Sequence, residues 1–459
     1  MIRKIFVDRE YELQLLEKLW RRNTFSLIII YGRRRVGKTR LLMEFARGKK
    51  CVYYTAVEAT YDTLCREFSA LVKRFLRIPI SGDLLEVIEG ISEIAREKIL
   101  IILDEFQYIV EADPSIPSRL QRLIDLKLSH KNIMLILCGS AVSFFEKKLL
   151  GYKSPIFGRR ESSLKIRPFQ FNQIRDFFPK YNLLDLIKIY GVVGGIPAYL
   201  EKLDPNKDVE ENILSIITPG NYLYDEAPNF LRQEVREPRT YFSILAAIAE
   251  GKNTPSEVAS AARIDARSIS KYIDLLEELD IITRVKPLGF KKPVKLIFRD
   301  NYFKFWFWYI YKLRSILEAG YIDEALNHIL ETFDRYISEV FENVVVEIIP
   351  VLYRAKIIKT RPIQVGKWWH KDLEIDTIVR EPGRSSTFVE TKWSSLSAKE
   401  AEKIILKLEE KASKTGLVSP SNYYILIAKE IRDADTPLKL DDHRMMIDLK
   451  FLESAIFSS

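Results

Sequence analysis

The chain has 459 residues, 47% of them apolar and 29% charged, with 72 Lys and Arg against 63 Asp and Glu for a formal charge of +9. That composition is globular, and the length allows roughly three domains, each able to bury its own core. Cys51, Cys65 and Cys138 show no CxxC spacing, which excludes a disulfide framework and a cysteine zinc site. MIRKIFVDRE lacks an apolar leader, and the aromatic run Phe303–Tyr311 is short and contains Lys304. A cytoplasmic protein with no membrane partner is therefore expected. The positive charge is compatible with a nucleic-acid partner without demanding one.

In chain order, a polar-start helix is predicted over Arg9–Trp20 and a buried strand over Leu27–Tyr31. The strand runs into Gly32-Arg33-Arg34-Arg35-Val36-Gly37-Lys38-Thr39, which fits G-x-x-x-x-G-K-[ST], and then into an apolar-periodic helix. Strand, glycine loop and helix in that order define a phosphate-binding P-loop. The glycines let backbone N–H groups face phosphates, and the helix aims its positive end at them. Gly32, Arg33, Arg34, Arg35, Val36, Gly37, Lys38, Thr39 and Arg40 are the expected ATP-binding residues. Within them, Lys38 would reach the β- and γ-phosphates and Thr39 would give a hydroxyl to Mg²⁺.

A second strand is predicted over Cys51–Thr55. Lys98–Leu103 then leads into Asp104-Glu105. A buried strand ending in two acids is where a P-loop ATPase holds its metal and its attacking water. Asp104 would bind Mg²⁺ and Glu105 would polarise the water. The same pair could serve as a helix N-cap. The next strand, Asn132–Leu137, ends in Cys138-Gly139-Ser140, and Ser140 is the candidate γ-phosphate sensor. Arg159 and Arg160 follow in a loop, as an arginine finger acting in cis or on a neighbouring subunit, or as solvated charges.

These residues carry a resemblance. Phe6-Val7-Asp8-Arg9-Glu10 with Glu12-Leu13 resembles the F-x-x-R-E-x-E-L opening of archaeal P-loop ATPases of the AAA+/STAND type. Cys138–Ser140, Ser154–Arg160, Gly194–Leu200, Leu223–Glu226 and Glu237-Pro238 are similar to that family too. The resemblance implies an opening segment against the adenine, an α/β ATPase core, a helical lid near Gly194–Leu200, a winged helix and a C-terminal domain with a restriction-endonuclease-like signature.

The middle of the chain has helix-turn-helix spacing. Tyr241–Ala249 is a periodic helix, Thr254-Pro255 opens a second, and Asp265 caps a third over Ala266–Leu279 with the stripe Ile269, Ile273, Leu276 and Leu279. Arg267, Ser268, Ser270 and Lys271 lie on the other face, as a recognition helix presents them. Ile282–Phe298 reads as a wing, with Arg284, Lys286, Lys291, Lys292 and Lys295 suited to phosphates.

Beyond it, a long helix Tyr336–Leu352 precedes strands near Lys356–Gln364, Leu373–Val379 and Thr387–Trp393, a helix Ala398–Lys414 and a strand Tyr423–Ala428. This is the core order of restriction-endonuclease-like folds. Glu390 and Lys392 share a strand face because side chains alternate. With Asp376 they resemble the PD-(D/E)xK nuclease motif, and Glu342 matches its helical acid. Asp376 and Glu390 would hold a second Mg²⁺ or Mn²⁺ that generates hydroxide. Glu374 shares a face with Asp376 and is the alternative ligand. His370, Trp368 and Trp369 are expected to pack at a strand edge or loop, the alternative being a place near a substrate groove.

The expected fold is α/β multidomain: a P-loop ATPase core over 1–165, a helical lid over 166–235, a winged helix over 236–312 and a restriction-endonuclease-like domain over 313–459. The expected function is an ATP-hydrolysing switch acting on DNA, with a metal-dependent nuclease as effector. The alternative is an ATP-dependent assembly module, homo-oligomeric or bound to a protein partner, whose last domain binds without cleaving. A metabolic kinase is disfavoured, because no small-molecule acceptor motif is present.

Overall fold

Four strands form a parallel sheet, three of them rich in Ile and Leu and apolar on both faces, as a strand covered by helices on both sides must be. They are β1 (Ser26–Tyr31), β2 (Cys51–Thr55), β3 (Ile99–Asp104) and β4 (Ile133–Gly139). Every residue of β1, β3 and β4 is buried. A short fifth strand, β5 (Ser162–Lys165), closes the edge in the order β2-β3-β4-β1-β5. All its pairings are parallel. β4 is thus central with β3 and β1 on either side, and the loops after β1, β3 and β4 share the carboxyl edge, where open α/β sheets bind ligands.

The computed structural model describes residues 9–77 and 79–457. Phe6, Val7 and Asp8 of the opening motif lie outside them. The chain forms two compact units, Met1–Pro168 and Phe169–Ser459.

In the second unit, Gly194 ends the helix Leu183–Val193 with φ 63°. A side chain at Gly195 would strike the Phe169 carbonyl at 1.8 Å. Gly194–Pro197 is therefore a close backbone crossing as well as a turn between helices. The aromatic run forms helical structure from Asn301 to Glu318, and Phe303, Phe305, Trp306 and Phe307 are core. Among the described residues no helix is long and apolar enough to cross a membrane.

Helices Pro238–Ala249, Pro255–Ala261 and Ile269–Glu278 precede an antiparallel ribbon of β6 (Ile282–Val285) and β7 (Lys295–Phe298). Thr254 closes a capping box with Glu257, as its position predicted. The third helix begins three residues later than expected. Asp265 folds Ala266–Ser268 into a turn instead, accepting from the Arg267 N–H at 2.8 Å through its side chain and from the Ser268 N–H at 2.8 Å through its carbonyl.

The helix Ile322–Arg354 leads into a six-stranded sheet of β8 (Gln364–His370), β9 (Leu373–Glu381), β10 (Ser385–Leu396), β11 (Ser421–Ile431), β12 (Leu438–Lys439) and β13 (Arg444–Asp448), ordered β12-β13-β11-β10-β9-β8. The first of these strands does not lie near Lys356–Gln364 as expected. Lys356 turns left-handed (φ 60°) after the helix, Ile357 and Ile358 are buried from irregular backbone, and pairing starts at Gln364. β10 and β11 run parallel and the helix Ala398–Ser413 connects them.

Candidate functional site

The first candidate site is built at the carboxyl edge of the parallel sheet. Gly32 and Gly37 have φ of 155° and 93°, and a side chain at Gly32 would lie 2.2 Å from the Ile166 carbonyl, because Ile166 N–H donates to Tyr31 O at 2.7 Å. Only glycine allows β1 to turn there. Gly37 caps the helix Lys38–Ala46. Lys38 is buried at the loop's centre, its Nζ donating to Gly32 O at 2.7 Å and Arg33 O at 3.1 Å. Arg33 is buried, whereas Arg34, Arg35 and Arg40 are partly exposed and Thr39 is exposed.

Thr39 Oγ1 donates to Asp104 Oδ2 at 3.3 Å. Tyr53 on β2 donates to the same oxygen at 2.7 Å. Burial, then the Asp104 charge, pushes the Tyr53 phenol far up, so it stays a donor. Glu105 adopts φ 52°, ψ 44°, a region a non-glycine residue rarely occupies. Its Oε2 accepts from Ser140 N–H at 3.2 Å, Ser140 Oγ at 2.9 Å and Gln107 Nε2 at 2.5 Å. A side chain at Gly139 would meet Gln107 Oε1 at 2.3 Å. The structure therefore joins Lys38, Thr39, Asp104, Glu105 and Ser140 through loop, strand ends and hydrogen bonds. That donor set suits an Mg²⁺–nucleotide: a hydroxyl and a carboxylate in contact for the metal, an ammonium and helix amides for phosphates, and a second carboxylate for water.

The two arginines separate. Arg159 forks onto Asp125, Nε to Oδ1 at 3.1 Å and Nη2 to Oδ2 at 3.0 Å. Arg160 lies 4.6 Å from the Phe157 ring. It is also near the Tyr31 phenol at the end of β1, which burial and Glu146 push up to about 12 while Arg167 and Arg160 pull it down. Arg9 and Tyr53 add to the residues expected from sequence. Arg9 is buried and donates to Val36 O at 3.2 Å and Arg167 O at 2.7 Å, tying the first helix to the P-loop.

A second cluster lies in the C-terminal sheet. The β9–β10 pairing stops at Thr377↔Val389. Beyond it Asp376 Oδ2 accepts from Thr391 N–H at 2.8 Å and Thr391 Oγ1 at 2.9 Å. Glu390 is buried, bonded to Lys392 at 2.9 Å and to Lys411 of the helix Ala398–Ser413 at 3.1 and 3.2 Å. Glu342 meets Lys367 at 2.6 Å. Burial raises the Glu342 carboxyl; Lys367 opposes this, and Asp376 and Glu374 add to it. Burial alone would lower the Lys392 ammonium, but Glu390, Asp376 and Glu342 together raise it. The expected acids and lysine are thus one electrostatic cluster, joined by Lys367 and Lys411, which the motif spacing did not reveal. Glu374 is exposed. Trp368 and Trp369 are buried on the edge strand β8, and His370 is exposed. Among the described residues no group of three or more His, Cys, Asp or Glu is placed to hold a metal ion.

The ribbon corrects part of the expected phosphate face. Arg284 is ion-paired with Glu277 and with Asp274 at 2.6 Å. Lys295 lies 4.5 Å from the centre of the Trp369 ring. Lys286, Lys291 and Lys292 remain exposed. The connecting turn packs on the C-terminal sheet, with Leu288 N–H donating to Lys367 O at 2.8 Å.

Residues 6–203 match an ATPase domain found predominantly in Archaea. Residues 184–301 and 306–404 match two domains of unknown function, the latter described from archaeal and bacterial proteins. An uncharacterized protein of Methanocaldococcus jannaschii is 33% identical over 436 residues, spanning 94% of this chain and 97% of the relative. Among solved structures, a Walker-type ATPase of Pyrococcus abyssi aligns over 66% of this chain and 96% of its own, at 19% identity and a TM-score of 0.49. The ORC2 protein of Aeropyrum pernix, solved as ADPNP and ADP complexes, aligns over 70% and 93%, at 15% identity and a TM-score of 0.42.

Proposed function

The chain belongs to the predominantly archaeal ATPase family, and from that premise we propose that it is an ATP-hydrolysing switch that acts on DNA. The hydrogen-bonded set Lys38, Thr39, Asp104, Glu105 and Ser140 carries the hydrolytic part. Lys38 and the loop amides bind phosphate oxygens. Thr39 and Asp104 hold Mg²⁺, which neutralises phosphate charge when bound. Glu105 orients and polarises the attacking water, and Ser140 couples that carboxylate to the γ-phosphate position. Arg160, near the end of β1, is the better placed of the two candidate fingers, because Arg159 is committed to Asp125.

The DNA part rests on the three helices and ribbon, read as a winged helix. Ser270 and Lys271 are exposed on the third helix, Arg267 lies in the turn before it and pairs with Asp265 at 3.0 Å, and Lys286, Lys291 and Lys292 are exposed on the ribbon turn. The C-terminal domain, in this reading restriction-endonuclease-like, is the effector. Asp376 and Glu390 would hold a metal there, which would supply hydroxide, and Lys392 would stand beside the attacking water.

The double lysine contact on Glu390 favours a second reading, in which the cluster binds DNA or a protein partner without cutting. Cleavage of supercoiled, linear and single-stranded DNA in Mg²⁺ or Mn²⁺, with and without ATP, separates the two. Under the first reading wild type cuts and Asp376→Ala loses at least a hundredfold while still binding DNA. No cutting by wild type under any condition leaves the second.

A further inference from the structure

A cleft of about 650 Å³ opens between the ribbon, the aromatic helix, the long helix and the edge of the C-terminal sheet, all within the second unit. Its size is that of a ligand site, which typically runs roughly 300–1,000 Å³. It is neither plainly apolar nor plainly acidic. Lys295, Lys312 and Arg335 line it, and among the described residues none of the three has a carboxylate within ion-pair distance. Glu339 and Glu342 are matched by Lys304 at 2.8 Å and Lys367 at 2.6 Å. Among the described residues, three cations without an ion-pair partner therefore face two such carboxylates, Glu250 and Glu374.

Two indoles complete the lining. Trp308 is half-buried, with the Lys312 ammonium 5.5 Å from its ring centre. Trp369 is 7% exposed, and its Nε1–H has no hydrogen-bond partner among the described residues. Lys295 already covers the Trp369 ring, so Trp308 is the indole left to stack a base, and beside the cations Lys312 and Arg335 it suits a strand whose bases stack and whose phosphates pair with lysine and arginine. A duplex keeps its base faces stacked inside and cannot use that indole. The cleft also reaches the carboxylate cluster, since Glu342 and Glu374 line it and Asp376 acts electrostatically on Glu342.

We propose that this cleft binds single-stranded DNA and leads it to the Glu342–Asp376 cluster. The inference deepens, and rests on, the reading of the chain as a DNA-acting protein.

The test is fluorescence anisotropy with full-length protein, using labelled oligothymidylate and a duplex of mixed sequence. The proteins are wild type, Lys312→Ala/Arg335→Ala, Trp308→Phe and Lys291→Ala/Lys292→Ala. The first double variant should weaken oligothymidylate binding on the order of tenfold. It should flatten the salt slope by about 1.4, from roughly 0.7 per phosphate contact on single strands, and leave duplex affinity unchanged. Trp308→Phe should remove most of the tryptophan quenching that oligothymidylate causes. A far-UV circular dichroism spectrum and a urea midpoint equal to wild type in each variant report an intact fold. Unchanged oligothymidylate affinity and salt slope in Lys312→Ala/Arg335→Ala would overturn the cleft proposal. Loss of duplex binding only in Lys291→Ala/Lys292→Ala supports the wing reading, whereas duplex binding insensitive to those lysines counts against the wing and leaves the single-strand result to stand alone.

Discussion

Glu105 occupies a left-handed backbone position while Ser140 and Gln107 hold its carboxylate. Such strain of order 1–3 kcal/mol persists where the surrounding bonds over-determine it, and it fixes the carboxylate over the P-loop side of the sheet. Glu105→Gln keeps the shape and the Ser140 contact but cannot polarise water. It should bind ATP with unchanged affinity and hydrolyse it about 10²–10⁴-fold more slowly, the usual worth of a general base. Nucleotide titration with steady-state phosphate release measures both, and a Glu105→Gln enzyme turning over near the wild-type rate would remove the residue from the reaction. Most of this site was legible in the sequence, since the P-loop and the strand-end acids are local patterns. Arg9 and Tyr53 were less so. Arg9 was visible only as part of a resemblance, because it acts on a backbone carbonyl 27 positions away. Tyr53 sits in an alternating strand where an aromatic reads as core, and only the strand order places its hydroxyl on Asp104.

At the scale of elements, the helix Leu183–Val193 and the long helix Ile322–Arg354 are joined through a buried acid. Glu347 accepts from Tyr190 OH at 3.0 Å and from Phe171 N–H at 3.0 Å, and burial still raises its carboxyl above the ordinary range. The folded state therefore holds that proton more tightly than the unfolded chain. The contribution is full below the ordinary glutamate value near 4.5 and is lost as pH rises through the raised folded value. Glu347→Gln does not titrate, so the stability gap between variant and wild type should move in the variant's favour as pH rises from 4.5 toward neutrality. Urea midpoints across that range test it, and a gap independent of pH would show that folding does not shift the Glu347 carboxyl.

The ribbon gives a second element-scale prediction. Lys291→Ala/Lys292→Ala should flatten the salt slope of duplex binding by about 1.8, from roughly 0.9 per phosphate contact. Arg284→Ala should leave that slope unchanged, because its guanidinium already serves Asp274 and Glu277. Titration at several salt concentrations distinguishes the two, and equal slopes in all three proteins would sink the wing as a phosphate contact. The Arg284 pairing could have been read from sequence, since Asp274 and Glu277 are three apart on one helix face. The Lys295–Trp369 contact could not, because it joins residues on different sheets. The missed start of β8 has a similar origin. Ile357 and Ile358 are apolar and β-branched, yet their burial comes from irregular chain packing and not from strand pairing.

At the scale of the whole molecule, a switch requires that ATP and ADP bind its states unequally, since a ligand moves an equilibrium only by its differential affinity. The P-loop belongs to one compact unit, and the proposed DNA-contacting elements belong to the other. Control therefore requires a coupling free energy between them, typically 1–3 kcal/mol, or about 5–150-fold in affinity. The most direct measurement is the duplex-DNA dissociation constant of Glu105→Gln with Mg²⁺–ATP, compared with the same protein with Mg²⁺–ADP and without nucleotide. A difference of at least fivefold between the ATP and ADP forms, abolished by adding Lys38→Ala, is the predicted result. Equal affinities in all three nucleotide states would contradict a nucleotide-controlled action on DNA.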